Sequence, residues 1–227
     1  MNILITGASR GIGFELAKLF SNQDHQVICL TRHTEALDKL QYKNLRTLST
    51  DLSSQASIDT AVSEIKKQYT HIDVVIHNAG TLINKSFEQI SLTELEQVYK
   101  VNVFAPFYIT QQLMALLGKI NKGHVVTISS MGGFQGSAKF AGLSAYSSSK
   151  AAIASLTECL AEEFKDKNIA VNCLAIGAVQ TEMLAEAFPG YKAPLTPLQM
   201  AEYIFDFAQK GHHYFNGKIL PVSLSTP

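Results

Sequence analysis

The stretch ITGASRGIG, residues 5–13, sets three glycines and an arginine directly behind a short apolar run at 2–6. A helical pattern follows from about 12 to 20. Strand, glycine loop and helix in that order are the context in which such a loop can seat a phosphate-bearing cofactor. Gly7 lets the chain turn sharply out of the strand. Gly11 and Gly13 leave room for a pyrophosphate to approach backbone and for the helix to pack closely on the sheet. The unpaired N–H groups of the first helical turn then face the phosphates, with the positive end of the helix dipole behind them. The spacing is G-x-x-x-G-x-G, and taken alone it serves equally as a tight strand-to-helix turn.

Working outward, apolar runs of strand length recur at 26–31, 45–49, 74–77, 125–129, 170–175 and 218–222. Between them apolar residues fall at helical spacing, as in Leu95, Val98, Tyr99 and Val103. Short Val- and Ile-rich runs without clean alternation suit strands covered on both faces, the habit of parallel sheets. The repeated alternation predicts an α/β fold with a doubly wound, mostly parallel sheet of about seven strands. That number favours the larger dinucleotide-binding type over a flavodoxin-like one. Since no linker or repeat divides the chain, residues 1–227 read as a single domain.

Composition agrees with that reading. Hydrophobic residues make up 46% and charged residues 17% of the 227, which suits a soluble core-forming chain. Nineteen basic residues balance nineteen acidic ones, so no overall field recruits nucleic acid or an anionic membrane. The N-terminus lacks the charged region and cleavage site of a secretory signal. The most apolar later stretch, 101–117, is broken by Asn102, Pro106, Gln111 and Gln112. Cys29, Cys159 and Cys173 read as reduced core residues of a cytoplasmic protein, without metal-ligand spacing, and no metal is expected.

The loop gains its meaning from SAYSSSK, residues 144–150. Tyr146 and Lys150 are four apart in a helical pattern, hence on one face and about 5–6 Å apart at Cβ. Tyrosine titrates near pH 10 and is a poor acid–base group at neutrality, but an adjacent ammonium favours the phenolate. Alone, such a pair is common on exposed helices. The chain also carries HNAG at 77–80, KVNVFAPF at 100–107, HVVTISS at 124–130 and DLS at 51–53. With TGASRGIG these resemble, in order and from residue 1 to about 183, the short-chain dehydrogenase/reductase family.

The resemblance implies a Rossmann domain in which Tyr146 is the general acid of a reduction. Lys150 would bind the nicotinamide ribose and lower the tyrosine's pKa. Ser130 would orient the substrate carbonyl, with Ser129 the alternative, and Asn102 would hold a proton-relay water. Cofactor contacts are implied for Gly7, Ser9, Arg10, Gly11, Ile12, Gly13, Arg32, Asp51, Leu52, Asn78, Ala79, Gly80, Gly177, Val179 and Thr181, besides Tyr146 and Lys150. Asp51 would accept from the adenine amino group; alternatively it or Ser53 caps the next helix. His77, where relatives often have Asn, reads as a strand-end residue without catalysis. Asn102 also has a reading of its own. Pro106 has no N–H for the carbonyl of Asn102, so the helix should bend there and leave that carbonyl free for the relay water.

The second strand ends in Thr31 and Arg32, with no carboxylate until Glu35. An acid near this end favours the 2′-hydroxyl of NAD, whereas arginines pair with a 2′-phosphate. Arg10 and Arg32 therefore predict NADP(H). Three departures from the family pattern stand out. Ile176 takes the place of a proline in AIGAVQTEM, residues 175–183. The interval from Ser130 to Tyr146 is 16 residues, longer than usual, and MGGFQGSAKFAGL offers Phe134 and Phe140 beside the substrate. The tail NGKILPVSLSTP lacks the Asp-Gly-Gly tied to an oligomer contact.

Residues 181–196, with Phe188, Tyr191 and Lys192, predict a short lid. The expectation is an NADPH-dependent carbonyl reductase acting on a small-molecule ketone or aldehyde. A 3-oxoacyl thioester reductase, its acidic carrier met by Lys139 and Lys192, and a catalytically silent NADP-binding sensor are the alternatives. The small residues Ser147, Ser148, Ala151, Ala154 and Ser155 on the Tyr146 helix predict a homodimer or homotetramer.

Overall fold

Side-chain alternation along the strands decides where the helices go. In β1 (Asn2–Thr6) Ile3 and Ile5 face one side and Leu4 the other, all three fully buried. β2 (Gln26–Thr31) repeats this, with Val27 and Cys29 on the first side and Ile28 and Leu30 on the second. A strand apolar on both faces needs a cover on each. The first face is covered by α1 (Gly11–Asn22) and α8 (Pro197–Lys210), packed through Leu16, Phe20, Ile204 and Phe205. The short α2 (Glu35–Asp38) adds Leu37 to that layer. The second face carries α3 (Gln55–Gln68), α5 (Ala105–Leu113) and α6 (Ser144–Glu163).

The structure, a computed structural model, describes residues 1–224. The remaining strands are β3 (Leu45–Ser49), β4 (Val74–His77), β5 (Gly123–Ser130), β6 (Ile169–Ile176) and β7 (Ile219–Val222), and the remaining helices α4 (Leu92–Tyr99) and α7 (Glu182–Ala187). All seven strands are parallel, in the order β3-β2-β1-β4-β5-β6-β7. The first four strands keep the bounds read from sequence. β5 and β6 run longer because their ends pair with each other, Gly123 with Ile169 and Ser130 with Ile176. The order reverses between β1 and β4, which opens a crevice at the carboxyl ends of the strands. Part of the tail, residues 225–227, lies outside the described residues.

Local chemistry sets the helix ends. Ser54 caps α3 by accepting from the Ser57 N–H, so neither Asp51 nor Ser53 has that task. α4 and α8 start with reciprocal caps, Ser91 with Glu94 and Thr196 with Gln199. The bend expected near Pro106 takes the form of a π-helical segment at Lys100–Phe104. There the N–H of Ala105 donates to the carbonyl of Lys100. Cys29 and Cys173 are buried, whereas Cys159 is exposed on the outer side of α6, contrary to its reading as a core residue. Among the described residues no helix is long and apolar enough to cross a membrane.

Two histidines lie inside. His77 reaches Thr110 through Nε2 at 2.8 Å, and His124 lies between the Ala208 carbonyl (2.9 Å) and the Asn172 amide (3.1 Å). Burial pushes their pKa values down, to about 3 for His77 and about 4 for His124. The unfolded chain therefore takes up protons first, below about pH 6.5. Stability is complete above that value and is lost as pH falls towards 4. Each histidine is expected to cost about 2 kcal/mol by pH 5. Urea midpoints at pH 7 and pH 5 check this, and His124→Gln should flatten the difference.

Candidate active site

At the carboxyl edge a cleft of about 830 Å³ follows the strand order from β2 to β6. Arg32 follows β2, and the glycine loop follows β1. Gly7 has φ +71° and an N–H that donates to the Leu30 carbonyl at 2.9 Å. A β-carbon on Gly7 would come within 2.6 Å of Ala79 Cα, and one on Gly13 would collide with the Gly7 carbonyl. One on Gly11 would meet Thr181 at 3.5 Å. Loop, helix and the turn after β4 are thus in mutual contact. Asn78 Nδ2 donates to the Gly7 carbonyl (2.8 Å) and the Thr6 carbonyl (3.2 Å), and Ala79 N–H donates to Thr6 Oγ1 (3.1 Å). Asn78 lines the cleft, yet its amide is spent on holding the glycine loop.

Arg10, in extended conformation just before α1, pairs with Glu182 at 3.1 Å, both side chains being largely exposed. Arg32 lies near Asp51. The Asp51 carboxylate accepts from the Ser53 N–H and hydroxyl, and these two bonds, more than Arg32, hold it below the usual carboxylate range. Ser9, Ile12 and Leu52 also line this end.

The other end is built by the π-helical segment, β5 and α6. Asn102 is buried; its Oδ1 accepts from Thr81 N–H at 2.8 Å, and its Nδ2 donates to the Thr81 carbonyl and to Ser149 Oγ, each at 2.9 Å. Ser149 in turn donates to the Tyr146 carbonyl at 2.7 Å. The carboxamide therefore ties the turn after β4 to the helix that carries Tyr146 and Lys150. Asn102→Ala leaves these groups without partners and is expected to cost about 1–3 kcal/mol, with a fall in turnover as α6 loosens. Thermal melts read against kcat check it; an unchanged melting temperature would show that the amide carries no load.

The two candidate serines separate. Ser129 donates to the Lys150 carbonyl at 2.7 Å, inside the protein. Ser130 faces the cleft with Tyr146 and accepts from Gly132 N–H at 3.1 Å. Lys150 Nζ donates to the Ile128 carbonyl at 2.8 Å and sits 5.8 Å from the centre of the Tyr146 ring. Burial lowers the Lys150 ammonium to about 8. Gly80 leaves the ammonium space, since a β-carbon there would lie 3.4 Å from Nζ.

Tyr146 corrects an expectation. Its phenol is raised above the ordinary value by burial, with the neighbouring Ser130 acting the other way. Lys150 does not reverse this, because its ammonium is turned to the Ile128 carbonyl and lies over the ring. A raised phenol keeps its proton at neutral pH, which is the form that can donate it.

After β6 the loop lacks proline but is otherwise held. Gly177 N–H donates to the Val222 carbonyl and Gln180 N–H to the Leu195 carbonyl. Val179 is buried and bridges to Leu195. Thr181 caps α7, and Leu184 and Ala187 of α7 line the cleft together with Phe188. Phe140 meets Phe188 edge to face at 5.4 Å. Phe140, and not Phe134, lines the cleft, and Lys139 is committed to the carbonyls of Phe134 and Ser137. On α6, Ser148, Ala151 and Ser155 are exposed, but Ala154 is buried against the protein and does not belong to that open face. Glu182, Thr6 and Asn84, whose amide donates to the Ala187 carbonyl at 2.9 Å, escaped the sequence reading. Their partners lie far away along the chain, and no local pattern marks them.

Fold and site together define a Rossmann-type oxidoreductase. The chain belongs to the short-chain dehydrogenase/reductase family: residues 1–192 match the family model for short chain dehydrogenase. It is 33% identical to an oxidoreductase of Bacillus subtilis over 80% of this chain and 72% of that one. It is 30% identical to the 3-oxoacyl-[acyl-carrier-protein] reductase of Aquifex aeolicus over 97% of this chain and 94% of that one. A short chain dehydrogenase of Shigella flexneri complexed with NADP superposes with a TM-score of 0.87 at 29% identity, covering 97% of this chain and 95% of that one.

Proposed function

We propose that the protein is an NADPH-dependent carbonyl reductase of the cytoplasm, equally an alcohol dehydrogenase in reverse. The observation that carries the reading is the convergence of Ser130, Tyr146 and Lys150 at one end of a cleft whose other end is the glycine loop. The backbone of Gly7, Ser9, Gly11 and Ile12 lines that end, and with the N-terminus of α1 it fits a pyrophosphate, while Gly13 packs against the Gly7 carbonyl. A nicotinamide cofactor held by these residues would supply the hydride for the carbonyl carbon. Ser130 then orients the carbonyl oxygen and Tyr146 gives it a proton. Lys150, its ammonium 5.8 Å from the centre of the Tyr146 ring, would hold the nicotinamide ribose. The Asn102 carbonyl holds a relay water next to Lys150, a role supported by Pro106 and the π-helical segment.

NADP in the Shigella flexneri relative supports the phosphorylated cofactor, as do Arg10 and Arg32 with no carboxylate at the end of β2. Because Glu182 holds Arg10, Arg32 carries most of the discrimination. Arg32→Glu is expected to weaken NADPH by about tenfold or more while NADH changes little. Cofactor titrations decide it, and an unchanged ratio refutes the assignment. The Aquifex aeolicus relative favours a second reading, reduction of a 3-oxoacyl thioester.

Assembly as a homodimer or homotetramer through the exposed Ser148, Ala151 and Ser155 is part of the proposal. The test is NADPH oxidation over ketones, aldehydes, quinones and acyl thioesters. Cofactor binding without turnover of any of them would favour a silent sensor.

A further inference from the structure

Resting on the reductase reading, we infer that the substrate is an uncharged carbonyl compound with an aromatic or apolar body, and that the site rejects anionic carbonyls. Beyond Tyr146 the cleft is walled by Met131, Phe140, Leu143, Leu184, Phe188 and Tyr191. Its cationic groups are elsewhere or engaged. Arg10 and Arg32 belong to the glycine-loop end, and Lys150 is tied to the Ile128 carbonyl. Lys139 is held by two carbonyls of its own loop, Lys85 pairs with Glu94, and Lys192 does not line the cleft. The charges that α7 brings to the cleft are acidic, Glu182 and Glu186. Arg10 neutralises the first, and Glu186 has no ion-pair partner among the described residues. At the apolar end a carboxylate or phosphate on the substrate would lose water, meet no unengaged cation and lie towards the exposed, unpaired Glu186.

This roof is fixed from several sides. Asn84 donates to the Ala187 carbonyl and abuts Gly142, where a β-carbon would collide with it. The neighbouring Lys85 N–H donates to the Gly142 carbonyl at 3.1 Å. Asn84 thus joins the turn after β4, the long excursion after β5, and α7. Phe140 and Phe188, one from each of the last two, meet edge to face over the cavity. A flat apolar ring finds aromatic surface on that side and the Tyr146 hydroxyl at its carbonyl end.

The test uses 4-isopropylbenzaldehyde and 4-carboxybenzaldehyde, nearly equal in shape and different in charge, with saturating NADPH and the full chain. The uncharged aldehyde is expected to have kcat/KM higher by about tenfold or more, and Glu186→Gln to narrow the gap by about threefold. Binding is followed separately in Tyr146→Phe by bound-NADPH fluorescence, which no tryptophan obscures. Equal or better use of the carboxylate, or failure of both aldehydes to bind, overturns the inference. Selective binding of the uncharged aldehyde without turnover by the native enzyme supports the substrate class and overturns the reductase reading. Turnover without preference does the reverse.

Discussion

Tyr146→Phe should lower kcat by about 10²–10⁴ and leave cofactor affinity within about twofold. The substitution removes one oxygen and keeps the ring, so the wall of the cleft and the contact with Lys150 survive. What disappears is the proton donor. The phenol is raised by burial, more than the neighbouring Ser130 lowers it, and its proton is therefore present at neutral pH. Lys150 cannot stand in as donor, since its Nζ is tethered to the Ile128 carbonyl. Steady-state turnover paired with NADPH titration checks the prediction. Near-normal kcat in this variant would sink the proposed mechanism, and lost cofactor binding would show instead that the hydroxyl shapes the cofactor site.

Gly7→Ala should be the most damaging small substitution outside the catalytic end. A left-handed φ of +71° is costly for alanine, and the new methyl would meet backbone, at 2.6 Å from Ala79 Cα. Positive φ and overpacking together come to about 2–5 kcal/mol. For a chain of this size that is a fall in melting temperature of about 5–15 °C. Cofactor affinity should fall by about tenfold or more, because the loop must move away from the turn after β4. Ala79→Gly removes the side-chain contact at 2.9 Å but leaves the closer Cα in place, so it should not rescue the variant. Thermal melts and cofactor titration of the single and double variants decide; full rescue would show that only the methyl of Ala79 is in the way.

Much of this was legible along the chain. Strand runs such as 26–31 and 74–77 could be read because a strand covered on both faces must be apolar at successive positions, a local property. The glycine loop could be read because backbone geometry and close approach both exclude a side chain there. Tyr146 and Lys150 could be paired because four residues is one helical turn. The preference for Ser130 over Ser129 rested on the family resemblance and not on a local pattern, since it depends on which of two adjacent strand residues points to α6 and which to the cleft. Helix capping went astray at Asp51 and Ser53 by a residue or more, because several side chains of the same type compete for one N–H.

By itself the sequence determined the doubly wound fold, the glycine loop behind β1 and the pairing of Tyr146 with Lys150 on one helix, all of which rest on local patterns of residues. Only the tertiary structure decided the electrostatics. It turned Lys150 towards the Ile128 carbonyl, raised the phenol of Tyr146 by burial, and brought Glu182 to Arg10 across the cleft. It also spent Asn102 on Thr81 and Ser149. Desolvation and long-range pairing depend on neighbours distant along the chain, and no local pattern of residues encodes them.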